Sequence, residues 1–291
     1  MYRGEFTTAR ALFEQCEALR EPAHRAVLAA WVVQDRYIYM LGELGFTLAL
    51  QGYIEQGRTR LNEALTEARE LKHPLTLVVA LNEAAAFENT FGSPDRARRY
   101  AEEQAAFSSE QGFPYWAATA DTYRGRSLCA LGHLEEGLDL ITKGLFMYRA
   151  TGAQIAVSAC FTEQAAAYGA LDRPFEGMNC LDEAMKIIDT NHERYWEAEV
   201  YRVRGELLLL DPKPDVAKAE AYFNRALDVA RKQQAKSWEL RGAISMARLW
   251  RDQGKWHEAR DLLAPFYGWF TEGFDTLDLK EAKALLDELS S

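Results

Sequence analysis

Residues 115–149 read YWAATADTYRGRSLCALGHLEEGLDLITKGLFMYR, and this stretch decides the fold. Its first half, residues 115–131, and its second half, residues 134–149, both carry apolar side chains three and four positions apart, as one face of a helix requires. Gly132 lies between the halves and marks a turn. The stretch therefore predicts two helices joined by a short loop.

The same pattern recurs along the chain at an interval of 40 residues, with a single interval of 42 in each track. The first track consists of small residues: Gly45, Ala85, Gly125, Ala165, Gly205 and Ala247. A second track of small residues follows 12 positions later: Gly57, Ala97, Gly137, Gly177, Ala219 and Ala259. A third, mostly of large apolar residues, lies four further on: Leu61, Ala101, Ile141, Leu181, Phe223 and Leu263. The longer interval falls at residues 211–214, whose two prolines predict a lengthened loop.

Small residues in the middle of both helices allow the two backbones to approach closely, and a large apolar residue fills the neighbouring gap. One such pair cannot bury its apolar face alone, but stacked pairs can. We therefore predict an all-α fold, an α-solenoid of antiparallel helix pairs with about 40 residues per repeat, wound as a right-handed superhelix. Residues 1–291 are interpreted as a single solenoid with helix pairs at 31–72, 74–112, 114–152, 154–192, 194–233 and 235–268.

The two ends of the chain depart from the repeat. Ala9 takes the second-track position 48 residues before Gly57, so an insertion of eight residues is expected near residues 20–30. Residues 1–22 are thus predicted to form the second helix of a repeat that lacks its first, which suggests a fragment of a longer protein or an internal start. Residues 274–291 are predicted to form a C-terminal capping helix.

The small-residue positions resemble the tetratricopeptide repeat (TPR), which carries one small residue in its first helix and another 12 positions later. The common repeat has 34 residues, so the units here are longer. Five segments from residue 193 onward carry a narrower resemblance: Glu193–Glu199, Arg204–Leu208, Ala235–Arg241, Ala247–Trp250 and Trp269–Thr276. They look like the C-terminal repeat region of bacterial multidomain signalling ATPases.

In that family a class III adenylate/guanylate cyclase or a winged-helix output domain precedes an AAA/STAND-type ATPase, which is followed by helical repeats. The resemblance implies that this chain is a regulatory sensor or interaction module with an upstream ATPase domain in a longer parent chain. It does not imply catalysis in the chain itself, because the phosphate-binding loop and the cyclase residues belong to other segments of that family.

The sequence offers no motif for catalysis or for metal binding. It contains no GxxxxGK[ST] loop, no GxSxG nucleophile turn and no HExxH pair, and its four cysteines are scattered. We expect no enzyme activity, no cofactor and no metal site. The net charge of −10 argues against nucleic acid as a partner. No apolar segment approaches the ~20 residues that span a bilayer, so we expect a cytoplasmic protein without a membrane partner.

Candidate binding residues follow from the TPR resemblance, because the first helices of TPR pairs line a concave groove. The positions expected to face that groove are Asn82, Thr122, Arg126, Glu199, Arg202, Glu206, Arg241 and Arg248. Guanidinium groups suit carboxylate or phosphate, so the arginines indicate a site for an acidic peptide or a small anionic effector. The alternative is that Arg202 and Glu206 form only an ion pair on the helix surface.

Three tryptophans are expected just inside the start of the first helices, and a tyrosine precedes two of them: Trp116, Trp196 and Trp238, with Tyr115 and Tyr195. These rings are candidates for stacking on a ligand at the groove rim. The alternative is that they seal the seam between successive helix pairs, since large aromatic side chains dominate core burial.

Together these patterns predict a non-catalytic interaction or sensor module of a bacterial signalling ATPase, which binds a protein, a peptide or a small acidic effector in its groove. The alternative is a free-standing TPR scaffold for assembling protein complexes, without effector sensing.

Overall fold

The computed structural model describes residues 1–16, 20 and 34–290, and within them it contains 14 α-helices and no β-strand. In chain order the helices are α1 (Phe6–Cys16), α2 (Arg36–Leu50), α3 (Ile54–Leu71), α4 (Pro74–Phe91), α5 (Pro94–Gln111), α6 (Pro114–Ala130), α7 (Leu134–Ala150), α8 (Val157–Ala170), α9 (Pro174–Asn191), α10 (Glu197–Leu209), α11 (Val216–Gln233), α12 (Lys236–Asp252), α13 (Trp256–Gly268) and α14 (Leu277–Glu288). The predicted all-α solenoid fold is confirmed.

The helices form two compact units. Unit 1 comprises Met1, Phe6–Ala49 and Tyr53–Gln154. Unit 2 comprises Tyr2–Glu5, Leu50–Gly52 and Ile155–Ser291. We call the first helix of each pair the A-helix and the second the B-helix. Unit 1 contains the pairs α2/α3, α4/α5 and α6/α7, and unit 2 contains α8/α9, α10/α11 and α12/α13. The continuity of all pairs in a single solenoid stays a prediction.

Each helix pair lies within the bounds that the sequence predicts for it, and α1 and α14 lie within residues 1–22 and 274–291. The insertion expected near residues 20–30 falls, apart from Arg20, outside the described residues. The lengthened loop is present: residues 210–215 separate α10 from α11, whereas residues 131–133 separate α6 from α7.

The two helices of a pair cross where the small-residue tracks meet. A Cβ atom built on Gly125 of α6 would lie 2.5 Å from the carbonyl oxygen of Gly137 on α7, and one built on Gly137 would lie 2.6 Å from the carbonyl oxygen of Gly125. Gly45 and Gly57 make the same reciprocal approach between α2 and α3. The crossing is therefore a contact of backbone with backbone, which only a very small side chain permits.

The residues of the third track close the space beside each crossing. All six are buried: Leu61, Ala101, Ile141, Leu181, Phe223 and Leu263. In the α10/α11 pair a Cβ atom on Gly205 would lie 2.5 Å from the ring of Phe223, so the aromatic ring takes the place that a larger side chain would need. Close packing of this kind explains why the small residue and the large one recur together.

The ends of the helices follow the same register. Helices α4, α5, α6 and α9 begin with proline, whose fixed φ suits the first turn. Four B-helices are followed directly by a C-cap residue with left-handed backbone, namely Lys72 (φ 55°), Gly112 (φ 68°), His192 (φ 56°) and Gln234 (φ 57°). Only one of these four positions is glycine, the residue that adopts this conformation without strain.

Across the described ranges, the structure contains no helix that is both long enough and apolar enough to cross a membrane.

The backbone crossing predicts a sharp position dependence for adding a single methyl group. We expect Gly125→Ala to lower the free energy of unfolding by about 2–3 kcal/mol, because the new Cβ overlaps the Gly137 carbonyl and forces the helices apart. Gly268→Ala is the matched control, since Gly268 lies in α13 with nothing within 4 Å of the added atom. Urea denaturation of both variants checks this, and equal destabilisation would contradict the crossing as the cause.

Candidate functional site

In unit 2 the A-helices α10 and α12 and the capping helix α14 bring together a set of ionised side chains, which we call the charged face. Its members are Glu199, Arg202, Glu206, Arg241, Arg248, Asp278 and Glu281. On α10 and α12 they are spaced three, four or seven residues apart, so each helix presents them on one side. The sequence predicts the first five as groove residues, and the structure places all five in this set.

Glu199 is the centre of the charged face and is only 3% exposed. Arg202 binds both oxygens of its carboxylate, with Nε 2.7 Å from Oε1 and Nη2 3.1 Å from Oε2. Arg241 of α12 donates a third hydrogen bond from Nη1 to Oε2 at 3.0 Å. A buried carboxylate thus joins two neighbouring A-helices through charge-assisted hydrogen bonds.

The second row of contacts extends outward from the two arginines. Arg202 Nη1 donates to Glu206 Oε1 at 2.5 Å, and Ser245 Oγ donates to the same oxygen at 2.8 Å. Arg241 Nε donates to Asp278 Oδ2 of α14 at 2.7 Å. Arg202 and Arg241 therefore have carboxylate partners within the chain, and the arginine cluster is not a free anion pocket.

Arg248 lies at the edge of the charged face and is paired with Glu281 of α14 at 3.2 Å. Its side chain is 43% exposed and that of Glu281 is 52% exposed. Solvent screens such a pair, so it contributes little to stability and exchanges partners easily. The edge of the charged face is therefore the part that an incoming ligand can reach.

The pKa values at the centre reflect opposing causes. Burial by itself raises the pKa of Glu199, but the charges of Arg202 and Arg241 outweigh burial and hold that pKa below its ordinary value. Burial lowers the pKa values of the two guanidinium groups, and their carboxylate partners raise them above the ordinary value. Three carboxylates (Glu199, Glu206, Asp278) against two guanidinium groups leave the centre with a formal charge of −1.

In unit 1 the predicted groove residue Asn82 is held in a polar cluster. Asn82 Oδ1 accepts a hydrogen bond from Gln104 Nε2 of α5 at 3.2 Å. The same nitrogen lies 3.0 Å from the carbonyl oxygen of Trp116 and 2.9 Å from Thr119 Oγ1, both on α6. Gln104 is fully buried. Its hydrogen bond fixes the orientation of the Asn82 amide. The sequence did not predict this role, because Gln104 lies on a B-helix and the groove was expected to be lined by A-helices.

Two other predicted groove residues in unit 1 are engaged in packing. Thr122 is buried, its hydroxyl donates to the carbonyl oxygen of Ala118, and it lies where Gly144 of α7 leaves room. The prediction that Thr122 faces an open groove is corrected here, because the missing side chain at Gly144 draws α7 against this side of α6. Arg126 is half-buried and its Nη2 donates to Thr90 Oγ1 at 3.3 Å.

A pair of glutamates in unit 1, the buried Glu43 and the half-buried Glu83, was not foreseen from the sequence. Burial first, and then the charge of Glu43, raise the pKa of Glu83 to about 8, while a hydrogen bond from Asn82 opposes this rise. Glu83 packs on the backbone of α2, where a Cβ atom on Gly42 would lie 2.7 Å from Glu83 Cγ. Glu43 and Glu83 each lie two residues before a small residue of the first track, at equivalent positions of successive repeats. This equivalence is the sequence signal that could have predicted their contact.

The five candidate rim aromatics divide into two groups. Tyr195, Trp196 and Trp238 are at most 4% exposed, and the two indoles meet edge to face with ring centroids 4.8 Å apart. They pack at the seam between successive pairs and offer no open ring face to a groove ligand. Tyr115 and Trp116 are half-buried, and the Tyr115 hydroxyl lies 2.9 Å from that of Tyr148 on α7.

No cluster of three or more histidine, cysteine, aspartate or glutamate side chains with metal-binding geometry occurs in the part of the chain that the structure describes. Within the described residues none of the four cysteines forms a disulfide, and all four are half-buried. Burial, with the charges of Glu176 and Glu183, raises the pKa of Cys180 to about 11, which keeps this thiol protonated at neutral pH.

No family model and no curated protein matches this sequence. Solved structures match it in fold. NprR in complex with its cognate peptide NprX superimposes with a TM-score of 0.62 at 12% identity, over 99% of this chain and 82% of that one. The apo form of RapI gives 0.60 at 12% identity, over 99% of both chains. A Rap protein complexed with competence and sporulation factor gives 0.53 at 13% identity, over 99% and 95%. These likenesses show a TPR-like helical-repeat fold.

The charged face predicts that removing the buried carboxylate of Glu199 lowers the free energy of unfolding far more than removing the more exposed carboxylate of Glu206. We expect Glu199→Ala to lower the free energy of unfolding by about 3 kcal/mol at pH 7, because it removes three charge-assisted hydrogen bonds, two within α10 and one to α12, and leaves Arg202 and Arg241 with one carboxylate partner each. Glu206→Ala is the control on the same helix and should cost no more than about 1 kcal/mol, since Glu206 is 37% exposed. Denaturant unfolding measures both, and similar losses would contradict a central role for Glu199.

The raised pKa of Glu83 predicts a pH effect on stability. The folded pKa of about 8 lies above the unfolded value of 4.5, so the folded protein holds a proton that the unfolded chain releases between these values. This contribution is fully present below pH 4.5 and is lost as the pH rises through 8. We expect Glu83→Gln to flatten the fall in unfolding free energy between pH 5 and 8, as measured by urea titrations. Glu135→Gln, at an exposed position of α7, is the control for the substitution itself.

Proposed function

We propose that the protein is a non-catalytic interaction module that binds a peptide or a segment of a protein along the A-helix side of its repeats. The observation that carries this proposal is the charged face, in which side chains from successive A-helices of unit 2 converge. A row of groups at the spacing of whole helices suits an elongated ligand that contacts several repeats in turn.

The structural neighbours support a peptide as the ligand class. NprR was solved with its cognate peptide NprX, and a Rap protein was solved with competence and sporulation factor. NprR is therefore a protein of this fold that binds a peptide. The identities of 12–13% transfer no residue, so the site proposed here depends on the charged face of this chain alone.

The arrangement of charge favours a ligand of mixed charge over a free anion. A simple anion must compete with carboxylates that already hold Arg202 and Arg241 in short hydrogen bonds. A peptide with both acidic and basic groups can instead exchange partners with the exposed pair Arg248 and Glu281 at the edge. We therefore propose first contact at Arg248 and orientation of the ligand by Glu206.

We further propose that this module acts in the cytoplasm and regulates a signalling ATPase in a longer parent chain, as the segments from residue 193 onward suggest by resemblance. Ligand binding would stabilise one arrangement of the repeats over another and so change the activity of the linked domain. A free-standing scaffold would assemble proteins without this coupling.

Reversing one exposed charge tests the proposed site. Peptides selected on the wild-type protein from a displayed random heptapeptide library should bind Arg248→Glu about tenfold more weakly, since an attractive edge contact becomes repulsive. Arg260→Glu on the B-helix α13 is the matched control, because that side chain is 42% exposed and also pairs with an acid. Fluorescence anisotropy gives the Kd values.

Equal affinities for the two variants would overturn the charged face as the site. In a parent ATPase, the same peptide should change ATP hydrolysis with wild-type Arg248 and lose that effect with Arg248→Glu. A peptide that binds without changing hydrolysis would favour the scaffold.

A further inference from the structure

The loop that precedes α10, residues 192–196, is held rigidly in unit 2. The Glu193 carboxylate accepts hydrogen bonds from the backbone N–H of Ala156 at 2.9 Å and from Ser158 Oγ at 2.8 Å, which ties the loop to the start of α8. Trp238 Nε1 donates to the carbonyl oxygen of Tyr195 at 3.1 Å, which ties it to α12. The loop is therefore a fixed surface on which another segment can dock.

Residues Tyr2–Glu5 belong to unit 2 and dock on this loop. The backbone N–H of Tyr195 donates to the carbonyl oxygen of Tyr2 at 3.1 Å. The rings of Tyr2 and Tyr195 meet edge to face, with centroids 5.2 Å apart and an interplanar angle of 80°. A backbone hydrogen bond and an aromatic contact are the elements by which a short peptide is recognised.

Gly4 provides the third contact and makes it selective. Gly4 is buried with a φ of 79°, and a Cβ atom there would lie 2.5 Å from Gln233 Nε2 at the end of α11. That nitrogen is fixed, because it donates to the carbonyl oxygen of Arg194 at 2.7 Å. Any residue with a side chain at this position would be strained in its backbone and would also displace the Gln233 amide.

Gln233 has binding capacity that the docked segment does not use. Its side-chain oxygen Oε1 is buried, and among the described residues no donor lies within hydrogen-bond distance of it. A buried acceptor without a donor is unfavourable, because it has lost its hydrogen bonds to water without replacement. A peptide that brings one more N–H group to this place would therefore gain a hydrogen bond that Tyr2–Glu5 does not make.

We propose that Tyr195, Arg194 and Gln233 form a second peptide-binding site, which Tyr2–Glu5 fill in cis and which accepts in trans a peptide with an aromatic residue followed two positions later by glycine. The sequence Tyr2-Arg3-Gly4 is the internal example of this signature. The site uses none of the residues of the charged face, so it goes beyond the function proposed above.

The occupancy of the site by Tyr2–Glu5 depends on the attachment of this segment to the chain. Tethering raises the effective concentration of a segment to the millimolar range, so a free peptide competes poorly while the tethered one is intact. Weakening the segment without touching the site should therefore open the site to a free peptide.

The test uses the full chain and a fluorescently labelled synthetic peptide of residues 1–6, MYRGEF. We expect this peptide to bind the double variant Tyr2→Ala/Gly4→Ala at least about tenfold more tightly than it binds the wild type. A control peptide with the same two substitutions should bind neither protein. Hydrogen exchange at the Tyr195 amide should be slow in the wild type, fast in the variant, and slow again when MYRGEF is added.

Two results would overturn the proposal: failure of MYRGEF to bind the double variant while its circular dichroism matches that of the wild type, or equal affinity for both proteins. Arg248→Glu provides the link to the other site, since it should leave MYRGEF binding unchanged. Equal binding of the selected peptides to Arg248→Glu and Arg260→Glu, with MYRGEF binding as expected, would show that the charged face is wrong. Failure of MYRGEF to bind the double variant, with weakened binding of the selected peptides to Arg248→Glu, would show that the second site is wrong.

Discussion

The structure depends on the close approach of two backbones where each A-helix crosses its B-helix. At Gly125 and Gly137 the backbone of one helix fills the space in which the other would carry a Cβ atom. A crossing this close fixes the pair as a rigid unit, because the helices cannot rotate without steric overlap. Every later feature of a unit, from the seam aromatics to the charged face, is positioned by stacking such pairs.

Stacking turns a distance along the sequence into a contact in space. Residues about one repeat apart lie on neighbouring helix pairs, or on the last pair and the capping helix, and their side chains can meet. Glu199 reaches Arg241 at 3.0 Å, Arg241 reaches Asp278 at 2.7 Å, and the indoles of Trp196 and Trp238 are 4.8 Å apart. A functional surface built in this way can change at one repeat while the core of the others is preserved.

The sequence predicted the repeat but not the partners within it. The three tracks of residues located the helix crossings, because two helices that approach closely admit only small side chains at the contact. The arginines of the charged face were placed on the correct helices, but Asp278 was not foreseen as the partner of Arg241, because that requires knowing how α14 packs beside α12. Thr122 was misplaced for a related reason: helical spacing alone does not show that Gly144 brings α7 against it. Tyr2 carries no signal in its own sequence, since its role depends on a neighbour 193 residues away.

The left-handed residues that end the B-helices have a consequence for engineering the array. One of these caps is glycine, Gly112, whereas the equivalent positions 72, 192 and 234 carry lysine, histidine and glutamine. Each of the three holds backbone strain of about 1 kcal/mol that contributes nothing to the packed interior. The three sites are far apart in the chain, so gains from glycine there should add. The repeat thus supplies a route to a more thermostable variant, which at Lys72 leaves both proposed peptide surfaces unaltered, whereas His192 begins the loop on which Tyr2–Glu5 dock.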